Sequence, residues 1–259
     1  MIKERKEIEM TISNIMPRLH AHYKAAVEKY GEDAVLGVFL YGSQNYNTHT
    51  FNSDVDTKCI LIPNMYHLVC KPYEIKHINV DGEICECMTI QHMVVNWKKQ
   101  NINFLEIMYT PYNIINPKYA TKWIMFIGEH REDIAHYDVK KAILSMGHQA
   151  LHTYKQDPRD FKKQMNMLRV RASLLKLIDG TFGYGQVIHF DAKEAEELRL
   201  VRESGAFPEQ IEDALDDLDY CINHADALAA KTTLDKEAVD FLDKKLEKFM
   251  MDLVKLNLE

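Results

Sequence analysis

Apolar residues recur at helical spacing through the first thirty positions, at Ile8, Ile12, Ile15, Met16, Leu19, Tyr23 and Val27, and predict an amphipathic helix over residues 2–29. The pattern then changes. Val35 to Tyr41 is a short β-favouring run ending at Gly42, and Asp54 to Ile62 is a second ending at Pro63, so both read as neighbouring core strands. Ile75 to Val80 and Glu83 to Met88 flank Asp81-Gly82, a dipeptide suited to tight turns, and read as a hairpin. Helical spacing returns from Ile90 to Lys99, and N-I-N-F-L-E-I-M at 101–108 reads as a short helix ending before Pro111. Residues 112–137 are mixed. Beyond Asp138 the segments 138–156, 159–179, 191–204, 207–229 and 234–257 lack strand alternation and predict helices. The expected architecture is α+β: a β-sheet domain with helices packed on it over 1–130, then a helical domain over 131–259.

A chain of 259 residues has room for two such domains. The charged opening and the lack of any stretch near the roughly 18 apolar residues of a membrane span point to a soluble, cytoplasmic protein with no membrane partner. Five scattered cysteines form no framework of paired bridges and fit free thiols in a reducing compartment. The net charge of −7 argues against a protein that coats nucleic acid. That charge is concentrated at one end: Phe207 onward carries 14 acidic residues against 6 lysines, whereas residues 1–206 carry 25 acids and 26 bases. The first part could therefore receive a polyanion.

Chemistry concentrates in Y-G-S-Q-N-Y-N-T-H-T-F-N-S-D-V-D at 41–56. Side chains at i and i+2 of an extended strand leave one face, so Asp54 and Asp56 are expected to project together. Two carboxylates that close repel unless a cation lies between them, and hard oxygen ligands suit Mg²⁺ or Mn²⁺. The spacing predicts metal-dependent nucleotidyl transfer from a nucleoside triphosphate, a reaction in which carboxylate-held divalent ions neutralise the triphosphate and activate the nucleophile. A third acid is expected from an adjacent strand. Glu86 is the choice, with Glu83, at the turn, as its substitute. Gly42 would let the backbone approach a phosphate while Ser43 donates to it. Lys58 continues the parity of Asp54 and Asp56, and fits either a phosphate contact or an ordinary strand charge. Lys162, Asn166 and Arg169 lie at i, i+4 and i+7 and share a helix face that could reach the triphosphate, unless it is simply a solvated face. Cys85-x-Cys87, near His77 and His92, lacks the usual zinc-ligand spacing and reads as buried strand cysteines.

The strand, Gly42-Ser43, Asp54-x-Asp56 and a later acid on a neighbouring strand resemble the DNA polymerase β-type nucleotidyltransferase superfamily. Within it, Y-G-S-Q-N-Y-N, S-D-V-D-T-K and N-I-N-F-L-E-I-M-Y-T-P are similar to the RNA-ligase-associated nucleotidyltransferase group, widespread in bacteria and phages. The resemblance covers the first 111 residues, and K-K-Q-M-N-M-L-R at 162–169 and L-R-L-V-R-E-S-G at 198–205 extend it more faintly. It implies a small mixed sheet with helices on one side, Mg²⁺ dependence and use of an NTP. It also implies a third acid at the position of Glu86, where the family more often has aspartate. The acceptor stays open among a nucleic-acid end, a small molecule and a protein hydroxyl. A nucleotide-binding regulator without catalysis is the alternative from another class.

Overall fold

The computed structural model describes residues 2–50 and 53–258, with side chains described from residue 14 onward. Ile8 and Ile12 of the expected apolar stripe lie outside the described side chains. The first helix, α1, runs Ile2–Tyr30 and buries Ile15 and Leu19. Strands β1 (Val35–Leu40), β2 (Thr57–Leu61), β3 (Ile78–Val80), β4 (Glu83–Thr89) and β5 (Asn113–Ile115) form one sheet in the order β3-β4-β2-β1-β5. β2 and β4 are parallel, and the remaining pairs are antiparallel. The β3–β4 hairpin turns on Asp81 and Gly82 at φ 53° and 92°, the doubly left-handed backbone that Asp-Gly favours.

Helices cover both faces of the sheet, where the resemblance implies one. Val38, Cys59, Leu61, Cys85 and Cys87 pack beneath Tyr23, Ala26 and Val27 of α1, and Leu40 joins Ile15 and Leu19. On the opposite face Phe39, Ile60 and Met88 meet Met93 and Trp97 of α3 (Ile90–Lys98) and Trp123 of α5 (Pro117–Ala135). Between β2 and β3 lies α2 (Met65–Val69), and between α3 and β5 lies α4 (Ile102–Leu105), followed by one 3₁₀ turn over Glu106–Met108. All five cysteines are free, and all but Cys70 are buried.

The stretch 112–137, mixed by pattern, resolves into β5 and the 19-residue α5, which starts with Asn116 as its cap and Pro117 in its first turn. The boundary expected at 130/131 therefore falls inside a helix. The chain continues through α6 (Val139–Gln156), α7 (Phe161–Asp179), α8 (Tyr184–Ile188), α9 (Ala192–Ser204), α10 (Pro208–Asn223), α11 (Ala225–Ala229) and α12 (Lys236–Leu256). One apolar core runs from Leu36 in β1 to Leu253 in α12. Asn257, just past α12, donates to the carbonyl of Ile62 at 2.8 Å, tying the end of the chain to the end of β2. Among the described residues no helix is long and apolar enough to cross a membrane.

Candidate functional site

The Gly-Ser turn is fixed from beneath by a buried acid. Gly42 leaves β1 at φ 83°, a left-handed conformation that a side chain resists. Its N–H donates to the Glu106 carboxylate at 3.0 Å, and the same carboxylate accepts from Asn45 Nδ2 at 3.0 Å and from the Tyr46 hydroxyl at 2.7 Å. Glu106 is wholly buried, and burial pushes its carboxyl up to about 7 although these donors and the Arg169 charge pull it down. Arg169 lies 4.1 Å over the Tyr46 ring, and His189, from the residue after α8, directs Nδ1 at the Asn45 carbonyl at 2.7 Å. The helical part of the chain thus clamps the turn.

The turn is also tied to the acids. Tyr41 donates its N–H to the Asp56 carbonyl at 3.0 Å, and a methyl group on Gly42 would meet Asp56 Oδ2 at 3.3 Å. The Asp56 carboxyl is raised from its ordinary value by burial first and then by the Asp54 and Glu86 charges, while Lys162 and Lys58 act in the opposite sense. Asp54, Glu86, Lys58 and Lys162 are therefore each within electrostatic reach of Asp56. Lys58 and Glu86 are register partners across the parallel β2–β4 pair and form an ion pair. The Lys58 ammonium is almost fully buried, 3.7 Å from the centre of the Tyr41 ring and 4.6 Å from that of Phe104.

Asp54 and Asp56 do not lie in β2, which starts at Thr57 and not at Asp54 as the pattern predicts. They form its extended lead-in, and the N–H of Val55, between them, donates to Glu83 Oε1 at 2.8 Å instead of to a neighbouring strand. Strict alternation is not enforced there. Asp56 lies beside Gly42, whereas the exposed Asp54 lines a cavity on the α1 side together with Arg18, His22 and Glu83. Glu83 is nearly buried and is bound by Arg18 Nε at 2.8 Å, so one carboxylate orients the acidic segment and neutralises an α1 guanidinium.

The stripe on α7 runs from solvent to interior. Asp160 caps the helix by accepting from the Lys162 and Lys163 amides at 2.7 and 3.2 Å, which leaves the Lys162 side chain exposed near Asp56. Asn166 is half-buried and Arg169 is buried against Tyr46, with one terminal nitrogen lacking a hydrogen-bond partner. Arg169 faces the underside of the turn. Ser43 is half-buried in the turn, and its carbonyl accepts the Thr48 N–H at 3.0 Å.

Asp54, Asp56 and Glu86 are the residues that could hold a divalent cation, and their hard oxygen donors suit Mg²⁺ or Mn²⁺. Glu86 is turned onto Lys58, and among the described residues no three His, Cys, Asp or Glu side chains are gathered to hold an ion as they stand. The pattern along the sequence does not single out Glu106, Arg18, His22 or His189, and it offers Glu83 only as a substitute for Glu86, whereas the structure turns Glu83 onto the Val55 amide and Arg18. A signal for Glu106 is present, since a lone acid inside the apolar run F-L-E-I-M needs buried partners. No protein-family model matches the chain, and no curated protein matches it.

Proposed function

We propose that this chain is a divalent-metal-dependent nucleotidyltransferase that moves an NMP from an NTP to an acceptor with release of pyrophosphate. The observation that carries the reading is the left-handed Gly42 turn, anchored on Glu106, standing against Asp56 with Asp54, Glu86, Lys58 and Lys162 around it. The resemblance of Y-G-S and D-V-D to the DNA polymerase β-type superfamily supports it.

Asp54, Asp56 and Glu86 would hold the ion or ions, Glu86 exchanging its contact with Lys58. When bound, such ions neutralise the triphosphate and activate the attacking hydroxyl. Gly42 keeps the turn free of a side chain facing Asp56, and Ser43 and the turn amides offer donors to the β- and γ-phosphates. Lys162 supplies an exposed positive charge from the helical part of the chain. The acceptor oxygen bonds to the α-phosphorus, the bridging bond to the β-phosphate breaks, and pyrophosphate leaves with the electron pair.

One observation favours a second reading, a nucleotide-binding regulator without catalysis: the Lys58–Glu86 ion pair neutralises the third carboxylate. Incubation with α-labelled NTPs, Mg²⁺ or Mn²⁺ and a cell extract separates the two. Label transfer with stoichiometric pyrophosphate supports the enzyme, and tight NTP binding without pyrophosphate supports the regulator.

A further inference from the structure

Lys58 places a charge inside the candidate site that the proposed chemistry leaves without a role. Its side chain is 2% exposed, and its ammonium stands 3.7 Å from the centre of the Tyr41 ring and 4.6 Å from that of Phe104. Among the described residues Glu86 is its one hydrogen-bond partner. The pairing is set by the sheet, since Lys58 and Glu86 are in register across the parallel strands β2 and β4. A charge taken out of water costs free energy that an opposite charge has to offset. The aromatic faces attract the ammonium but supply no anion. The charge also reaches Asp56.

Resting on the nucleotidyltransferase reading, we infer that Lys58 is a positioning residue: its ammonium is the resident counter-cation of the site, holds Glu86 when no divalent ion is bound, and sets how tightly such an ion binds. Glu86 cannot serve both cations in full, because one carboxylate shared between two positive charges leaves them to repel each other. Turning Glu86 toward an ion beside Asp56 leaves the ammonium against Tyr41 and Phe104 without its anion, and burial keeps water from taking that place. The cost of parting the pair is subtracted from the affinity for a free divalent ion. An ion that arrives with a triphosphate brings anionic oxygens to which the ammonium can donate. The contact therefore favours the metal-loaded nucleotide over the ion alone. On this account the pairing that favours the regulator reading is equally a working part of an enzyme.

The test is a titration of the full chain, free of nucleotide, with Mn²⁺, the free ion being followed by electron paramagnetic resonance. Lys58→Met exchanges the ammonium for a flexible side chain that suits aromatic surroundings. It should tighten Mn²⁺ binding about tenfold. In a Glu86→Gln background the same substitution should change the affinity by no more than about twofold, because the contact it relieves is already gone. Simple loss of a positive charge would act in both backgrounds alike. The wild-type chain supplies a second measurement that needs no variant to fold. The ammonium signal of Lys58 in a 15N–1H spectrum, displaced by the Tyr41 and Phe104 rings from those of exposed lysines, should move as Mg²⁺ saturates the site. Unchanged or weaker Mn²⁺ binding by folded Lys58→Met, an equal gain in both backgrounds, or a Lys58 signal indifferent to saturating Mg²⁺ would each overturn the inference, while Mn²⁺ binding by the wild type would leave the metal centre standing. Absence of Mn²⁺ binding from the wild type and from Lys58→Met alike would sink the nucleotidyltransferase reading together with it.

Discussion

The amide of Gly42 donates to the carboxylate of Glu106 at 3.0 Å, joining the turn beside Asp56 to an acid 64 residues further along the chain. Because burial raises the Glu106 carboxyl to about 7 from an ordinary 4.5, the folded protein binds this proton more tightly than the unfolded chain. Its contribution to stability is full below pH 4.5, declines as pH rises toward about 7, and is constant above that. Glu106→Gln removes the dependence while keeping the contacts, since the amide oxygen can accept from Gly42 and Asn45 and the amide nitrogen can donate to Tyr46. Urea denaturation at pH 5 and pH 8 should show the wild type losing about 1–3 kcal/mol more than the variant across this window. Parallel losses would contradict the assignment.

Glu83 holds the Val55 amide and Arg18 at once, next to the buried His22. Glu83→Ala should destabilise the fold by about 1–2 kcal/mol, chiefly because it leaves the buried Val55 amide without an acceptor, the Arg18 guanidinium being partly solvated. Glu83→Gln retains an acceptor for Val55 and should recover part of that loss. Equal stability of both variants and wild type in urea denaturation would remove Glu83 from the support of the acidic segment.

Gly42→Ala forces a side chain into a left-handed backbone at φ 83° and places its methyl 3.3 Å from Asp56 Oδ2. The conformational cost is about 1–2 kcal/mol, and the steric contact falls on the acid proposed to hold the cation. Thermal denaturation should show the stability loss, and MgATP affinity measured on the folded fraction should fall with it. Unchanged affinity would place the nucleotide away from the turn.

Much of this fold is legible in the sequence because its elements carry strong local signals. The β3–β4 hairpin follows from Asp81-Gly82, and the helices over 139–156, 161–179 and 236–256 fall within about two residues of the apolar periodicity. Other features depend on contacts distant in sequence. Thr57 is the true start of β2 because Glu83 takes the Val55 amide, a pairing that no local pattern encodes. Residues 112–137 look mixed because the stretch joins the short strand β5 to α5, and the exposed Ile124 and Met125 blur the buried stripe of Tyr119, Trp123, Ile127, His130 and Ile134. Coverage of both sheet faces escapes a local reading as well, because it depends on where α1 packs, against Cys59, Cys85 and Cys87 of two parallel strands. At the candidate site, the residues that arrive together on one short segment are visible from spacing. Those that fix it from below, Glu106 and Glu83, become apparent only once the chain is folded.

The central claim is that the acids after the Gly-Ser turn hold the cation for NMP transfer, and Asp56→Asn tests it most directly. With α-labelled ATP, Mg²⁺ and a cell extract, transfer by the variant should fall by at least about a hundredfold, while its stability without metal is kept or increased because a clustered charge is gone. Transfer at the wild-type rate by a correctly folded Asp56→Asn protein would contradict the account.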